Sequence, residues 1–449
     1  MTSKRKHYIS RCSAILTAWI VLAIVALAPL TVDAIELPFS LFGGNRNVIL
    51  IVPDGCSVSM WASIRAMTVG TNGTLNVDKL PVQSRCRTYS ADAMITDSAA
   101  AGTAYACGVK TRNGVLGMGA ITIRGDSLSG KPLETLLETA AGKGYATGIV
   151  STASVLHATP AAFYSHRPER DWYGLIAGDL AGSGIDVIMG GGREYMLPTG
   201  TVGPENEMSK RKDSRNIIDE MRKTGYVYIQ DRIGFDSWAP EKNDRLLGIF
   251  NPGHMTYEID RMQDKNGEPA LWEMTEKALD LLSKKNKGFF LLVEAARIDH
   301  AAHDHDSTRF LWEGIACDKT VGVAADFADK HKNTLVIVVP DHGTGGPHLV
   351  GLYNTDGGDS TLVSYSEAGF PRYTLDENGF PVRDNGKPVA LQWVDWDGHT
   401  GEDVGLFAMG PGSEKLHGLV QNTDIYTVMA RHLGLIKGEE EDISDTIDY

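Results

Sequence analysis

The feature that most constrains this chain is a series of short, β-branched apolar runs separated by longer helical patterns. The runs are Asn47 to Val52, Ala146 to Val150, Val187 to Met189, Phe289 to Val293, Leu335 to Val339 and Val404 to Met409. Runs this short and this uniformly apolar predict strands buried on both faces, as in parallel sheets. Between them, Leu133 to Ala141 and Leu271 to Ser283 carry helical spacing, and Gly142 and Gly144 end the first pattern. Pro132 is placed to start that helix. Strand–helix alternation predicts a doubly wound α/β fold, with a mostly parallel central sheet, helices on both faces and surface insertions. Two segments break the rhythm. Residues 204–268 are charged, with Lys210, Arg211 and Lys212 in a row. Residues 343–397 are rich in Gly, Asp, Tyr and Pro. Both read as insertions on the sheet, and the tail from Glu439 is acidic.

The first residues follow another logic. Lys4, Arg5, Lys6 and Arg11 form a basic head, Ser13 to Leu30 is apolar and uncharged, and Val32-Asp33-Ala34 suits a cleavage site. Residues 1–34 therefore read as a secretory signal, and the protein as secreted, extracellular or periplasmic. Membrane contact is expected only if the leader stays uncleaved, as an anchor. The formal net charge is −14, and the leader carries four positive charges and one negative, leaving the rest still more acidic. That balance argues against a nucleic-acid partner. It still permits anion binding if metal ions supply local positive charge. Beyond the leader stand Cys56, Cys86, Cys107 and Cys317. Export permits a disulfide among them, buried free thiols are the other reading, and their spacing fits no zinc motif. Asn72-Gly73-Thr74 is a glycosylation sequon, meaningful in a eukaryotic host.

In open α/β sheets, sites form beyond the carboxyl ends of strands. Here the first run leads into Pro53-Asp54-Gly55, the second to His157-Ala158-Thr159, the fourth ends at Glu294 with Asp299 and His303 following, and the fifth leads to Asp341-His342. Four strands thus send carboxylates, imidazoles and a threonine to one edge. Asp299 and His303 are four apart, so a helix places both on one face. His399 stands just before the last run. A lone histidine is usually a satisfied surface or core group; a shared edge makes His303, His342 and His399 metal-ligand candidates. Oxygen and nitrogen donors without thiolate suit zinc, manganese and magnesium.

Ser98 opens an alanine run, Ser98-Ala99-Ala100-Ala101, after Asp97. A serine there is often a plain helix cap. It is also a hydroxyl at a helix N-terminus, where free N–H groups and the dipole favour an anion, and a nearby metal would activate it as a nucleophile. Arg170 follows the His157 loop; the bland reading is a surface ion pair, the functional one a guanidinium gripping two phosphate oxygens. Gly125-Asp126-Ser127-Leu128 imitates a lipase signature, and Gly125 to Lys131 a phosphate-binding loop. Pro132 stands where the latter needs Ser or Thr, and no strong strand precedes either.

In chain order, Asp54-Gly55, Thr96 to Ala100, His157 to Pro160, Glu294, Asp299 with His303, Asp341-His342 and His399 to Asp403 resemble the motifs of alkaline phosphatases, as do Cys107 to Lys110 and Gly190 to Arg193. The resemblance spans roughly residues 45 to 435 and implies one catalytic domain, 35–449, with 343–397 as a crown-like insertion. It implies hydrolysis of small phosphate monoesters through a phosphoserine at Ser98, with two Zn2+ and one Mg2+, in a homodimer. It assigns Asp299, His303 and His399 to one zinc, Asp54, Asp341 and His342 with Ser98 to the second, and Asp54, Thr159 and Glu294 to magnesium. Arg170 would hold the phosphate, Asp97 would orient Arg170, and His157 and His300 would stand behind the ligands. Some bacterial members have Asp and Lys at those two positions; the histidine pair is similar to animal and some marine bacterial members and leaves the third metal open. A sulfatase of the same superfamily would need a modified residue in another setting than Ser98-Ala99-Ala100. A phosphodiesterase, which usually offers threonine and lacks the arginine, and a non-catalytic phosphate- or metal-binding protein are the alternatives.

Overall fold

The computed structural model describes residues 45–69, 72–241, 244–263, 267–285, 287–349, 374–375, 381–382 and 391–436. The expected leader, and most of 343–397, lie outside these residues. Ten strands form the main sheet: β1 (Arg46–Val52), β2 (Val82–Arg87), β3 (Ala146–Ser154), β4 (Val187–Gly191), β5 (Tyr226–Ile229), β6 (Arg245–Asn251), β7 (Gly288–Glu294), β8 (Thr334–Val338), β9 (Val404–Met409) and β10 (Leu419–Gln421). Their spatial order is β10-β2-β9-β8-β1-β7-β3-β4-β6-β5. Every pairing is parallel except those of β9, which runs against both β2 and β8.

The strand runs are apolar on both faces because both faces are covered. Along β1, Val48, Leu50 and Val52 face one core and Ile49 and Ile51 the other, the two-residue period of a strand. The first core also takes Tyr105, Leu137, Leu180 and Met429 from helices on that face. The second takes Trp61, Met274, Leu282 and Phe310. The doubly wound reading is therefore right.

Two expectations are corrected. Residues 204–268 are not an insertion on the sheet, because they supply β5 and β6 at its edge. Charged helices and turns around these strands hid them in the sequence. The basic row is absorbed locally: Arg211 is buried, pairs with Asp213 and donates to the carbonyls of Gly174 and Tyr195. The helix expected from Pro132 begins later, as Leu136–Gly142. Thr135 caps it, with Glu138 returning a hydrogen bond to the Thr135 N–H at 2.9 Å, so a capping box outweighs the proline signal. All four cysteines beyond the leader are buried and free, which removes the disulfide alternative.

Candidate metal and phosphate site

The parallel strands end at one edge, and the candidate residues follow from those ends. β1 passes into Asp54 and Gly55. Gly55 has φ +70°, and a Cβ there would lie 2.7 Å from Asp299 Oδ1 and 2.8 Å from Thr344 Oγ1. Glycine is thus needed for both the turn and the close approach. β7 ends on Glu294, and the helix Arg297–His303 then carries Asp299 and His303. β8 leads to Asp341 and His342, and β3 to His157 and Thr159. Because β9 runs antiparallel, its amino end lies at the edge where its neighbours have their carboxyl ends. His399 therefore arrives at the same place from the opposite chain direction. A short antiparallel pairing of Gly343–Thr344 with His399–Thr400 ties these two connections together.

Among the described residues, three groups of ligand atoms gather there, each with its atoms within 4.8 Å of one another: Asp299, His303 and His399; Asp54, Asp299 and His342; and Asp54, His157 and Glu294. Asp299 and Asp54 each belong to two groups, so the groups adjoin. Asp341 stands beside the second, its Oδ2 3.2 Å from His342 Nε2. His157, which the sequence reading places behind the ligands, lies with Asp54 and Glu294.

Asp54, Glu294, Asp341 and His342 are fully buried, and Asp299 nearly so. Both Asp54 oxygens, Glu294 Oε1, Asp341 Oδ2, Thr159 Oγ1 and His157 Nδ1 are buried without a hydrogen-bond partner. Buried polar atoms are normally paired; six orphans in one place, mostly carboxylate oxygens, are what a cation would satisfy. The electrostatics agree. Burial, reinforced by Asp341, Asp299 and Glu294, pushes Asp54 well above the usual carboxylate range. Burial likewise pushes Glu294 up to about 7. Asp299 goes the other way: burial opposes its charge, yet His303, His342 and His399 hold it well below the usual range. The donor set is hard oxygen plus imidazole, so the residues fit divalent zinc and magnesium.

Ser98 is the first residue of the helix Ser98–Cys107, and Asp97 caps it, Oδ1 accepting from Ala100 N at 3.0 Å. Ser98 Oγ lies 3.3 Å from His342 Nε2. Asp97 Oδ2 accepts from Arg170 Nη1 at 2.9 Å and from Gly114 N at 2.9 Å. Burial opposes the Asp97 charge, but Arg170 and these N–H groups outweigh it and hold the carboxyl below its usual range. Arg170 Nη2 donates to His157 Nε2 at 3.1 Å. Carboxylate, guanidinium and imidazole thus form one connected row that begins next to Ser98.

Several contributors escape sequence reading. Ser151 donates a short hydrogen bond to Glu294. Thr344 Oγ1 donates to Asp299 Oδ1 at 2.6 Å and lies 3.3 Å from His342 Nδ1. His254, past the end of β6, accepts from Ser154 N through Nδ1 and packs its ring 5.4 Å from His157 and 4.4 Å from His300. His300 Nδ1 accepts from Arg297 Nη1 at 2.8 Å, so it joins a histidine cluster beside the third group. Position after a strand end could have flagged His254; it lay in the segment taken for an insertion.

A doubly wound sheet with adjoining cation sites beside a helix-capped serine and a paired arginine defines a metal-dependent phosphate-ester hydrolase. Residues 45–435 match the family model described as alkaline phosphatase. The chain is 33% identical over 442 residues to alkaline phosphatase of Gadus morhua, covering 86% of this chain and 91% of that protein. The crystal structure of Thermus thermophilus alkaline phosphatase superposes with a TM-score of 0.71 at 29% identity, covering 91% of this chain and 96% of that one. A variant of the enzyme from the Antarctic bacterium TAB5, with aspartate in place of a histidine and magnesium bound in its M3 site, gives 0.68 at 27% identity, covering 88% and 99%. The chain belongs to the alkaline phosphatase family, whose members are metal-dependent hydrolases of phosphate monoesters.

Proposed function

We propose that this chain hydrolyses monoesters through a phosphoserine at Ser98. Asp299, His303 and His399 would hold one zinc, and Asp54, Asp341 and His342, with Ser98, the second. Asp54, Thr159 and Glu294 would hold magnesium, with His157 as a further donor. When bound, these ions supply positive charge where the loose phosphoryl transition state accumulates negative charge.

The remaining roles belong to the chain itself. Arg170 presents a planar guanidinium to two phosphate oxygens, and Asp97 keeps it aimed. The helix N-terminus adds N–H groups and dipole at Ser98. Ser98 Oγ bonds to phosphorus as the ester oxygen leaves with the alcohol; water then takes the phosphoryl group and frees Ser98. Arg170 in contact with Asp97 beside the Ser98 hydroxyl is the observation that carries this reading. It also favours a monoester, since the phosphodiesterase alternative usually lacks the arginine. The expected leader supports export, and among the described residues no helix is long and apolar enough to cross a membrane. A homodimer is expected from the family habit.

The test uses Ser98→Ala. The variant should keep its metal and form no acid-stable phosphoenzyme with labelled substrate. Wild type should release nitrophenol from the monoester at pH 8 to 10 and lose that activity to a chelator. Label on the variant, or a preference for the bis-ester, would overturn the reading.

A further inference from the structure

The segment between β2 and the Ser98 helix has no helix or strand of its own. It carries Met94 and Ile95 outward, 89% and 40% exposed, while Thr96 is buried. Yet it holds two groups of the site. Asp97 caps the helix and grips Arg170. The Thr96 carbonyl accepts from His399 Nδ1 at 3.0 Å, which leaves the other ring nitrogen free to act as a ligand. An irregular, outward-facing segment must be fixed by something else, because precise placement costs conformational entropy.

The turn at 111–114 supplies that restraint. Asn113 Oδ1 accepts from Asp97 N at 3.1 Å, and Asn113 Nδ2 donates to the Ile95 carbonyl at 3.0 Å. One planar carboxamide thus brackets residues 95–97, with the Thr96 carbonyl between its two contacts. The same turn binds the segment elsewhere. Thr111 O accepts from Ala91 N at 2.8 Å, and Asp92 Oδ1 accepts from Asn113 N at 3.0 Å. Gly114 completes the bracket: its N–H donates to Asp97 Oδ2, and its carbonyl accepts from Arg170 N at 2.8 Å.

We propose that Asn113 is a positioning residue of the site, setting Asp97 with Arg170 on one side and His399 on the other through a single side chain. The inference rests on the roles proposed above for Ser98, Arg170 and His399. No other small side chain offers a donor and an acceptor in one plane at this reach. Aspartate would lose the donor and add charge beside Asp92 and Asp97.

Asn113 is half-buried in a surface turn, so Asn113→Ala should fold. The exposed neighbour Arg112, whose Nε donates to the Ala120 carbonyl, gives the control Arg112→Ala. In Asn113→Ala, kcat/KM for nitrophenyl phosphate should fall by ~10–100-fold, the scale of a displacement near 1 Å. Inhibition by inorganic phosphate should weaken, since Arg170 loses its aim. The deficit should be larger for an alkyl phosphate than for nitrophenyl phosphate, because the cation that His399 would hold is taken to stabilise the leaving oxygen, on which a poorer leaving group depends more. Melting temperature, and bound metal under saturating zinc and magnesium, should match wild type, and Arg112→Ala should match in every measurement. A kcat/KM within about twofold of wild type would overturn the inference, on the same scale. So would a loss that tracks lost metal or lost fold, or one that is equal for both leaving groups. Absence of a phosphoserine in wild type would overturn the Ser98 reading instead, and the comparison of kcat/KM would still decide this one.

Discussion

Thr344 shows how much depends on single hydroxyls here. Its Oγ1 touches Asp299 and His342, residues of two adjoining groups. Groups behind metal ligands typically govern metal affinity by about 10–100-fold. Thr344→Val keeps the shape and removes the bonds. It should lower metal affinity by roughly that factor, read as the chelator concentration that inactivates half the enzyme. An unchanged chelator profile would contradict the assignment. Glu313 offers a separate test, away from the site. It is 2% exposed, and its Oε1 accepts from Glu258 N at 2.6 Å. Burial pushes its carboxyl from 4.5 up to about 8. Between those values the folded chain holds a proton that the unfolded chain has lost. Stability from this group is therefore full at low pH and declines as pH rises through the window. Glu313→Gln keeps the acceptor and removes the titration. Melting temperature should fall less between pH 5 and 8 in the variant than in wild type; equal slopes would count against it. The ligand candidates were legible at this scale because strand ends announce them. Thr344, Ser151, His254 and Asn113 were not, because their partners become neighbours only in the folded chain. His254 and Ser154, for example, are a hundred residues apart.

Among elements, the Ser98–Cys107 helix is tightly constrained, with all its residues buried. A Cβ on Gly102 would stand 3.1 Å from the Ala162 Cβ and 3.4 Å from the Thr159 Cα. The Ser98 helix and the Thr159 segment thus meet at a glycine. Gly102→Leu should cost about 1–3 kcal/mol by overpacking and displace Thr159, with magnesium dependence shifting accordingly. Denaturant titration and magnesium titration together check this; a change in stability alone would separate the helix from the third group. At this level the central strands β1, β3, β4, β7, β8 and β9 were readable from uninterrupted apolar runs. β2, with sequence VQSRCR, alternates buried and exposed residues. β5 and β10 have only four and three residues. Such strands owe their place to neighbours rather than to their own pattern.

For the whole molecule, four carboxylates and several imidazoles are concentrated at one edge of the sheet, and much of their buried polar surface lacks a partner. Burying like charges together is costly unless they are neutralised. Metal binding should therefore raise folding stability as well as activity. Chelation should lower the melting temperature, and zinc with magnesium should restore it. A melting temperature indifferent to chelator, in protein shown to have lost its metal, would contradict that coupling. The fold class was evident from the sequence because both faces of the sheet are covered. The extent of the sheet was not, since charged surroundings masked β5 and β6.

The reversed direction of β9 has a consequence in time. Every other contributor to the three groups, from Asp54 to His342, precedes His399 in the chain. During synthesis, the ribosome releases the serine and most of its surroundings well before His399. A nascent chain that stops short of that residue carries Ser98 beside an incomplete first group. On the proposed ligand set, the donors for that cation would be complete only once residue 399 has been made.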